Sequence, residues 1–156
     1  MKKQATMIYL KRGDKILFLE RHKKNDTVHK EGMHLALGGK VEKGESVEDG
    51  AKREVYEEAF VKVNSLDLKA IIYFREWGKK GHDWIDYLFI SDDFTGEPKD
   101  GNEGNVVWVD KENIKNLNLY EGDRIFLDYL FKYNFFVAEF TYDNYDLKSH
   151  KLLKSF

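Results

Sequence analysis

Apolar residues alternate with polar ones, or form short runs, in several segments whose patterns predict β-strands. The segments "ATMIYL" and "KILFLE" flank the turn residues Lys11–Asp14, and together they predict a β-hairpin. Four further strands are predicted at "LKAIIYFREW", "DWIDYLFIS", "NVVWVD" and "FFVAEFTYD". The polar stretch "RHKKNDTVHKEG" predicts an exposed loop after the hairpin.

Helical patterns are confined to two segments. The first helix is predicted from about Ser46 to Ala59, with Ser46 as N-cap and with Glu48 and Asp49 at the positive end of the helix dipole. The second is "GDRIFLDYLFKY", preceded by a helical turn at "KENIKNL". Strands and helices mix without a regular repeat, so the sequence predicts an α+β fold or a mixed-sheet sandwich.

Composition narrows the classes of function. A length of 156 residues with 42% hydrophobic residues predicts one domain, spanning residues 1–156. The net charge of −2 does not indicate a basic surface for nucleic acids, and the absence of cysteine excludes disulfides and thiolate chemistry. The segment "MKKQATMIYLKRGD" lacks the apolar stretch of a signal peptide or membrane span. We therefore expect a cytoplasmic protein without membrane or direct nucleic-acid partners, either a monomer or a homodimer.

Three glutamates crowd the first predicted helix, in "REVYEEAF". At 100° per residue, Glu54 and Glu58 fall in or beside the apolar stripe, and Glu57 lies at its edge. A solvated acidic face would lie opposite the stripe, whereas an inward carboxylate needs a counter-charge. This counter-charge is either Arg53 or a nearby lysine, or a divalent cation such as Mg²⁺. One arginine does not easily neutralise three carboxylates, so the pattern favours the cation.

The segment before this helix is suited to binding phosphate. Gly38 and Gly39 allow a tight turn and close approach of the backbone to a ligand, and Lys40 adds a positive charge. A plain turn would use the same glycines, so this signal depends on the neighbouring acids.

The stretch "GKVEKGESVEDGAKREVYEEAFV", residues 39–61, resembles the Nudix box. That pattern is Gly, five residues, Glu, seven residues, then Arg-Glu-apolar-x-Glu-Glu-x-Gly-apolar. Phe60 departs from it, because the family usually has glycine there to end the helix. The positions that match in register are Gly39, Glu45, Arg53, Glu54, Val55, Glu57, Glu58 and Val61.

The resemblance implies the Nudix α/β/α sandwich with a mixed β-sheet, and hydrolysis of a nucleoside diphosphate linked to another group. It implies Mg²⁺, with Mn²⁺ as an alternative, held by Glu57 and Glu58, often with Glu54 and the carbonyl of Gly38. It also implies that Arg53 orients the glutamates by charge pairing. In relatives the general base is either a glutamate of the box or a later acid, and the later candidate here is Glu103 in "DGNEGNVVWVD". An ordinary loop acid is the alternative interpretation of that residue.

Outside the box, the chain resembles the MutX/MutT group of 8-oxo-dGTP diphosphatases. The similar stretches are "NDTVHKEG", "GNEGNVVWV", "LYEGDRIFLDYL" and "FFVAEFTYD". The resemblance places Arg21 near phosphates, where the alternative is a solvated arginine at a strand end. It places Tyr120 and Asp123 at the purine base, where the alternative for Asp123 is the N-cap of the second helix. It implies removal of damaged nucleotides from the precursor pool for DNA synthesis and repair.

One departure bears on the substrate. Enzymes for oxidised purines often carry an asparagine just before the Gly-Gly pair, where this chain has Leu35 and Ala36. Backbone amides, Asp123 or, with lower rank, His34 would then bind the edge of the base. Three hypotheses follow: a hydrolase of oxidised purine triphosphates, a Nudix hydrolase for ADP-ribose, a nucleotide sugar or a dinucleotide polyphosphate, and a binding module without catalysis.

Overall fold

The computed structural model describes residues 2–22 and 32–156. Most of the predicted polar loop, including most of "NDTVHKEG", lies outside the described residues. Most of the other predicted strands and helices are present, with shifted ends. The strands are β1 (Lys3–Arg12), β2 (Lys15–Arg21), β3 (His34–Leu35), β4 (Leu37–Lys40), β5 (Lys62–Val63), β6 (Asp67–Trp77), β7 (His82–Ser91), β8 (Phe94–Thr95), β9 (Gly104–Asp110), β10 (Phe136–Asn144) and β11 (Asp146–Ser155).

The main sheet is mixed. Its strands follow the order β11-β10-β6-β7-β1-β2-β3, with β4 paired to β1 and β9 paired to β2. Strand β1 runs parallel to β7, and β10 runs parallel to β6, whereas the remaining pairs of this sheet are antiparallel. Strands β5 and β8 form a separate two-stranded sheet. Because β4 lies beside β1, the Gly-Gly segment borders the centre of the large sheet.

Successive side chains of β1 and β2 point to opposite faces of the sheet and pack into two separate hydrophobic cores. Ile8 and Leu17 pack with the apolar side of helix α1 (Val47–Ala59), whereas Tyr9 and Phe18 pack with helix α2 (Glu121–Lys132). The two helices therefore cover opposite faces of the sheet. The α+β class and the predicted α/β/α sandwich with a mixed sheet are both confirmed.

The structure shows how α1 ends and where α2 begins, which the sequence left open. Helix α1 begins as predicted, because the Ser46 hydroxyl accepts the Asp49 N–H at 3.0 Å. It ends at Phe60, which takes the left-handed conformation at φ 61° that glycine usually supplies. The N-cap of α2 is Tyr120, and Asp123 lies inside its first turn. The alternative interpretation of Asp123 as an N-cap is therefore wrong.

Short and exposed elements were not predicted. Strand β11 is an exposed edge strand, rich in lysine, and β5 and β8 are only two residues long. The predicted helical turn is a 3₁₀ helix, Lys111–Asn116.

Among the described residues, no helix is both long enough and apolar enough to cross a membrane.

Candidate active site

The Gly-Gly segment holds the acidic face of α1 against the sheet. Gly38 has φ 142°, and a side chain there would collide with the Thr6 carbonyl of β1, so the position requires glycine. The Gly38 N–H donates to Glu58 Oε1 at 2.7 Å. A Cβ at Gly39 would lie 2.6 Å from Glu54 Oε1. Gly39 therefore leaves room for the Glu54 carboxyl, whereas Gly38 allows close pairing with β1 and donates its N–H to Glu58.

Arg53 donates hydrogen bonds to three of the surrounding carboxylates and lies 3.6 Å from a fourth, that of Glu42. It donates to Glu45 through two nitrogens, at 3.0 and 2.7 Å, to Glu54 at 3.0 Å and to Glu57 at 3.3 Å. Its guanidinium also donates to the Lys40 carbonyl at 3.2 Å. Of the three crowded glutamates of α1, Arg53 contacts Glu54 and Glu57, whereas Glu58 accepts the Gly38 N–H. The expectation that one arginine does not easily neutralise all three therefore stays a prediction. The orienting role implied for Arg53 stays a prediction, but its geometry allows that role.

The bidentate contact with Arg53 dominates the electrostatics of Glu45. These hydrogen bonds, together with the N–H of Glu42, lower the pKa of Glu45 to about 2. Burial has the opposite effect on Glu54, whose side chain is 15% exposed, and it raises the pKa of that carboxyl despite Arg53. Glu57 projects outward, with 55% of its side chain exposed. The helix thus offers carboxylates in very different environments.

Glu58 is the most buried of the three glutamates, at 6% exposure. Its carboxyl lies in hydrogen-bond contact with that of Glu103, from the loop before β9. Burial first, and the Glu103 contact next, raise the pKa of Glu58 well above its ordinary value. The carboxyls of Glu58 and Glu103 therefore meet although they come from distant parts of the chain. Among the described residues, no salt bridge to Glu58 compensates for this contact. The structure disfavours the interpretation of Glu103 as an ordinary loop acid.

Arg21, at the end of β2, faces the same region. Its side chain is 17% exposed, and Nη1 lies 3.9 Å from Glu103 Oε2. Its buried Nε has no hydrogen-bond partner among the described residues. The alternative of a solvated arginine at a strand end is therefore wrong. The guanidinium is available to an anion that enters between β2 and the acidic cluster.

A largely apolar cavity of about 260 Å³ opens next to this cluster. Thr6, Met7 and Leu37 contribute from the central strands, and Arg21, Gly39 and Lys40 also line it. Its remaining lining residues are Ala5, Leu19, Leu35, Ala36, Gly38, Glu58, Phe74, Trp77, Trp84, Asp86, Tyr120, Asp123 and Tyr142. A cavity with aromatic walls and few polar groups is typical of a site for a planar ligand.

Two carboxyls besides Glu58 line this cavity, Asp86 and Asp123. Burial raises the pKa of Asp123 to about 7, and burial followed by the charge of Asp123 raises the pKa of Asp86 to about 7. Asp86 Oδ1 has no hydrogen-bond partner among the described residues. A side chain at Gly122 would collide with the Tyr142 hydroxyl, so glycine is required beside Asp123. Near neutral pH these carboxyls can both donate and accept hydrogen bonds.

The structure brings together every site residue that the sequence singled out except His34. The imidazole Nε2 of His34 lies 3.4 Å from Glu20 Oε2, and His34 does not line the cavity. The sequence analysis missed Asp86, Trp84, Trp77 and Tyr142. A signal for Asp86 was present, because it shares one face of β7 with the fully buried Leu88. A carboxyl side chain on an otherwise apolar face of a strand indicates a functional site.

Comparison with known proteins decides the family. The model of the NUDIX domain matches residues 1–130. The chain belongs to the Nudix hydrolase family. It is 30% identical over 154 residues to the Nudix hydrolase YvcI of Bacillus subtilis (strain 168), a match that covers 96% of this chain and 93% of that protein. The resemblance of residues 39–61 to the Nudix box is thereby confirmed.

Two further comparisons place the chain among MutT-like Nudix hydrolases. The crystal structure of a mutator MutT protein from Bacillus halodurans matches with a TM-score of 0.84 at 25% identity, covering 97% of both chains. The oxidized purine nucleoside triphosphate hydrolase of Mus musculus is 31% identical over 116 residues, which cover 74% of this chain and 73% of that protein. The protein is therefore a Nudix hydrolase that acts on a nucleotide substrate.

The acidic cluster fits a divalent cation by its chemistry. Nudix hydrolases generally use divalent metal ions. Within residues 2–22 and 32–156, no three acidic or histidine groups converge closely enough to ligate one ion in the present geometry. The contact between buried Glu58 and the more exposed Glu103 is nevertheless a pair of oxygen ligands that a cation would stabilise in the ionised form. The donor set is thus suitable for Mg²⁺ once the carboxylates are ionised.

Proposed function

We propose that this Nudix hydrolase is a Mg²⁺-dependent pyrophosphohydrolase of oxidised purine nucleoside triphosphates such as 8-oxo-dGTP. One observation carries the proposal. Glu58 lines both the largely apolar cavity and the acidic cavity that also includes Glu57 and Glu103. A purine in the first cavity would therefore extend its phosphates into the second. The products would be nucleoside monophosphate and pyrophosphate, which removes damaged nucleotides from the DNA precursor pool.

The groups suited to hold the ion are the carboxylates of α1, the neighbouring loop acid and one backbone carbonyl. They are Glu54, Glu57, Glu58, Glu103 and the carbonyl of Gly38. When bound, Mg²⁺ offsets negative charge on the phosphates, and Mn²⁺ is chemically able to replace it. Arg53 keeps Glu54 and Glu57 oriented through its hydrogen bonds.

The remaining polar groups would bind phosphates and transfer the proton. Arg21 and Lys40 line the cavity near Glu58 and offer positive charge, and Gly39 allows close approach of the backbone. A water molecule would attack the α- or β-phosphorus, and a carboxylate would accept its proton. The P–O bond in the bridge between these two phosphorus atoms would break, which separates nucleoside monophosphate from pyrophosphate. Glu103 and Glu58 are the candidates for this base, because their carboxyls are adjacent at the junction of the two cavities.

Recognition of the base would combine stacking with two carboxyls. Tyr120 and Trp77 meet edge to face at 5.3 Å and give the cavity an aromatic wall. Asp123 and Asp86 would bind the polar edge of the purine, which compensates for the apolar Leu35 and Ala36. The name of the mouse relative supports this substrate class.

A panel of substrates tests the proposal. The purified protein is assayed with 8-oxo-dGTP, dGTP, ADP-ribose, a nucleotide sugar and a dinucleotide polyphosphate, with Mg²⁺, with Mn²⁺ and with EDTA. We expect the highest kcat/KM for 8-oxo-dGTP, release of pyrophosphate, and loss of turnover in EDTA that Mg²⁺ restores. Preference for ADP-ribose or another diphosphate would overturn the substrate assignment. Full activity in EDTA would overturn the metal dependence.

A further inference from the structure

Phe60 occupies an unfavourable backbone position at the end of α1. Its φ of 61° lies in the left-handed region, which a bulky side chain rarely adopts. Its side chain is not a core residue, because Phe60 is 47% exposed. Neither backbone preference nor core packing therefore explains phenylalanine here. A strained residue beside an active site is a reason to look for a role.

The ring of Phe60 packs against the loop that precedes β9. A Cβ placed on Gly101 would lie 3.4 Å from Phe60 Cε2 and 3.4 Å from the carbonyl oxygen of Glu58. The backbone at Gly101 is thus enclosed between the aromatic ring and the last turn of α1. Lys99 adds a backbone link, since its N–H donates to the Ala59 carbonyl at 3.0 Å.

The same loop carries Glu103. The Gly101 N–H donates to the Gly104 carbonyl at 3.1 Å, which closes a tight turn with Glu103 inside it. Asp100 accepts the Val106 N–H at 2.9 Å and connects this turn to β9. The position of Gly101 therefore determines where the Glu103 carboxyl lies relative to Glu58.

We propose that Phe60 is a positioning residue for Glu103, a role that rests on the proposed function of Glu103 in hydrolysis. The ring keeps Gly101 against α1 and thereby keeps the Glu103 carboxyl in contact with Glu58. Phe60, Glu58 and Glu103 line one cavity, so the ring acts from the edge of the site. The left-handed strain at Phe60 is retained because glycine would end the helix but would not contact the loop.

The first test uses Phe60→Gly, which relieves the strain and removes the ring. We expect kcat with the preferred substrate of the panel to fall between about 10-fold and 100-fold, as for a misplaced catalytic group, while KM changes less than about threefold. The melting temperature should change little, since relief of strain offsets the lost contact. Phe60→Tyr keeps the ring and should restore most of kcat. Tyr56→Ala removes another exposed aromatic ring of α1 and is the control.

A double-mutant cycle separates this role from a general structural one. In a Glu103→Gln background, Phe60→Gly should reduce kcat by less than about twofold, because both changes act on the same group. Additive losses in the double variant would overturn the proposal. Unchanged kcat in Phe60→Gly would also overturn it.

A measurement without turnover keeps the proposal testable if the proposed function fails. In the metal-free protein, Phe60→Gly should accelerate amide hydrogen exchange in residues 100–106 relative to Tyr56→Ala, with little change in the core strands. Equal exchange in the two variants would overturn the packing role of the ring. Absence of turnover in the parent would instead count against the proposed function alone.

Discussion

Two groups of carboxyls lie at opposite ends of one continuous site, and they differ in the hydrogen-bond donors that contact them. Around α1, the guanidinium of Arg53 and the Gly38 N–H already contact Glu45, Glu54, Glu57 and Glu58. Around the apolar cavity, Asp86 and Asp123 have pKa values of about 7 because burial is the main influence. Burial also raises the pKa values of Glu54 and Glu58, so a bound cation would keep the first group ionised. The second group is suited to change protonation near neutral pH.

This difference indicates a division of roles. Carboxylates that stay charged offset positive charge, so they suit the metal ion and the phosphates. Carboxyls that become neutral can donate a hydrogen bond as well as accept one, so they suit the edge of a purine. Substitutions in the two groups should therefore have different consequences: loss of turnover in the first and loss of discrimination in the second.

The largest effect is expected from Glu58→Gln, which keeps the size of the side chain and removes its charge. Turnover should fall by a factor on the order of 100 or more, as for a group that acts on charge in the transition state. Without metal, the variant should melt at the same temperature as the parent or higher, because burial penalises the ionised form of the Glu58 carboxyl and an amide carries no such penalty. Mg²⁺ should raise the melting temperature of the parent much more than that of the variant.

Glu48→Gln is the matched control for Glu58→Gln. Glu48 lies in the first turn of the same helix, with 57% of its side chain exposed, and forms a salt bridge with Lys52 at 3.6 Å. Near-normal turnover is expected for it, with the same response to Mg²⁺ as the parent. If Glu58→Gln behaved like this control, the acidic cluster would be a solvated face and the comparison between the two groups would fail.

The second effect is a change of selectivity. Asp123→Ala should lower kcat/KM for 8-oxo-dGTP more than for unmodified dGTP, because a buried partner of the base edge is removed. A relative loss of about 10-fold or more is expected from the energy of a buried hydrogen bond to a polar group. Asp128→Ala, on the exposed side of the same helix, should leave the ratio unchanged. Equal losses of kcat/KM for both substrates would show that Asp123 contributes to the stability of the protein and not to recognition of the base.

The third effect is on the pH dependence of stability. Burial raises the pKa of Asp86 and Asp123 to about 7. The stability that these two groups contribute to the folded state is therefore fully present below their ordinary pKa of 3.8, and it is lost as the pH rises through about 7. Asp86→Asn and Asp123→Asn should therefore gain stability relative to the parent between pH 5 and pH 8, by a few kcal/mol at most. Thermal melts of the parent and the two variants at pH 5 and at pH 8 measure this difference in stability. A constant difference would show that burial does not perturb these groups.

The acidic cluster could be predicted from the sequence because most of it is local. Glu54, Glu57 and Glu58 belong to one helix, whose period fixes their relative directions from the residue spacing alone. The contact between Glu58 and Glu103 required the resemblance to a family, since 45 positions of chain separate the two residues. The contact of Arg53 with Glu45 could not be derived from the helix period, because Glu45 lies before the helix and the contact depends on the turn that precedes α1.

The apolar cavity could not be assembled in the same way. Asp86 and Asp123 come from β7 and α2, and nothing in their local sequences shows that they meet. Strand β11 was missed because an exposed edge strand need not alternate, and lysines are common on such edges. Periodicity predicts elements with one buried face, whereas cavities between elements depend on tertiary packing.

The smallest effect is expected from Ser46→Ala, which tests whether the acidic cluster depends on the local stability of α1. The lost cap to the Asp49 N–H should lower stability by about 1 kcal/mol and the melting temperature by about 3 °C. Ser46→Asp, which can still cap the helix, is the control and should melt close to the parent. Well below the melting temperature, turnover and the preference for 8-oxo-dGTP should be unchanged in both variants, because tertiary contacts hold Glu58 and form the cavity. A loss of turnover in Ser46→Ala at full folding would show that helix fraying moves the carboxylates, while an unchanged substrate preference would confine that motion to the acidic group.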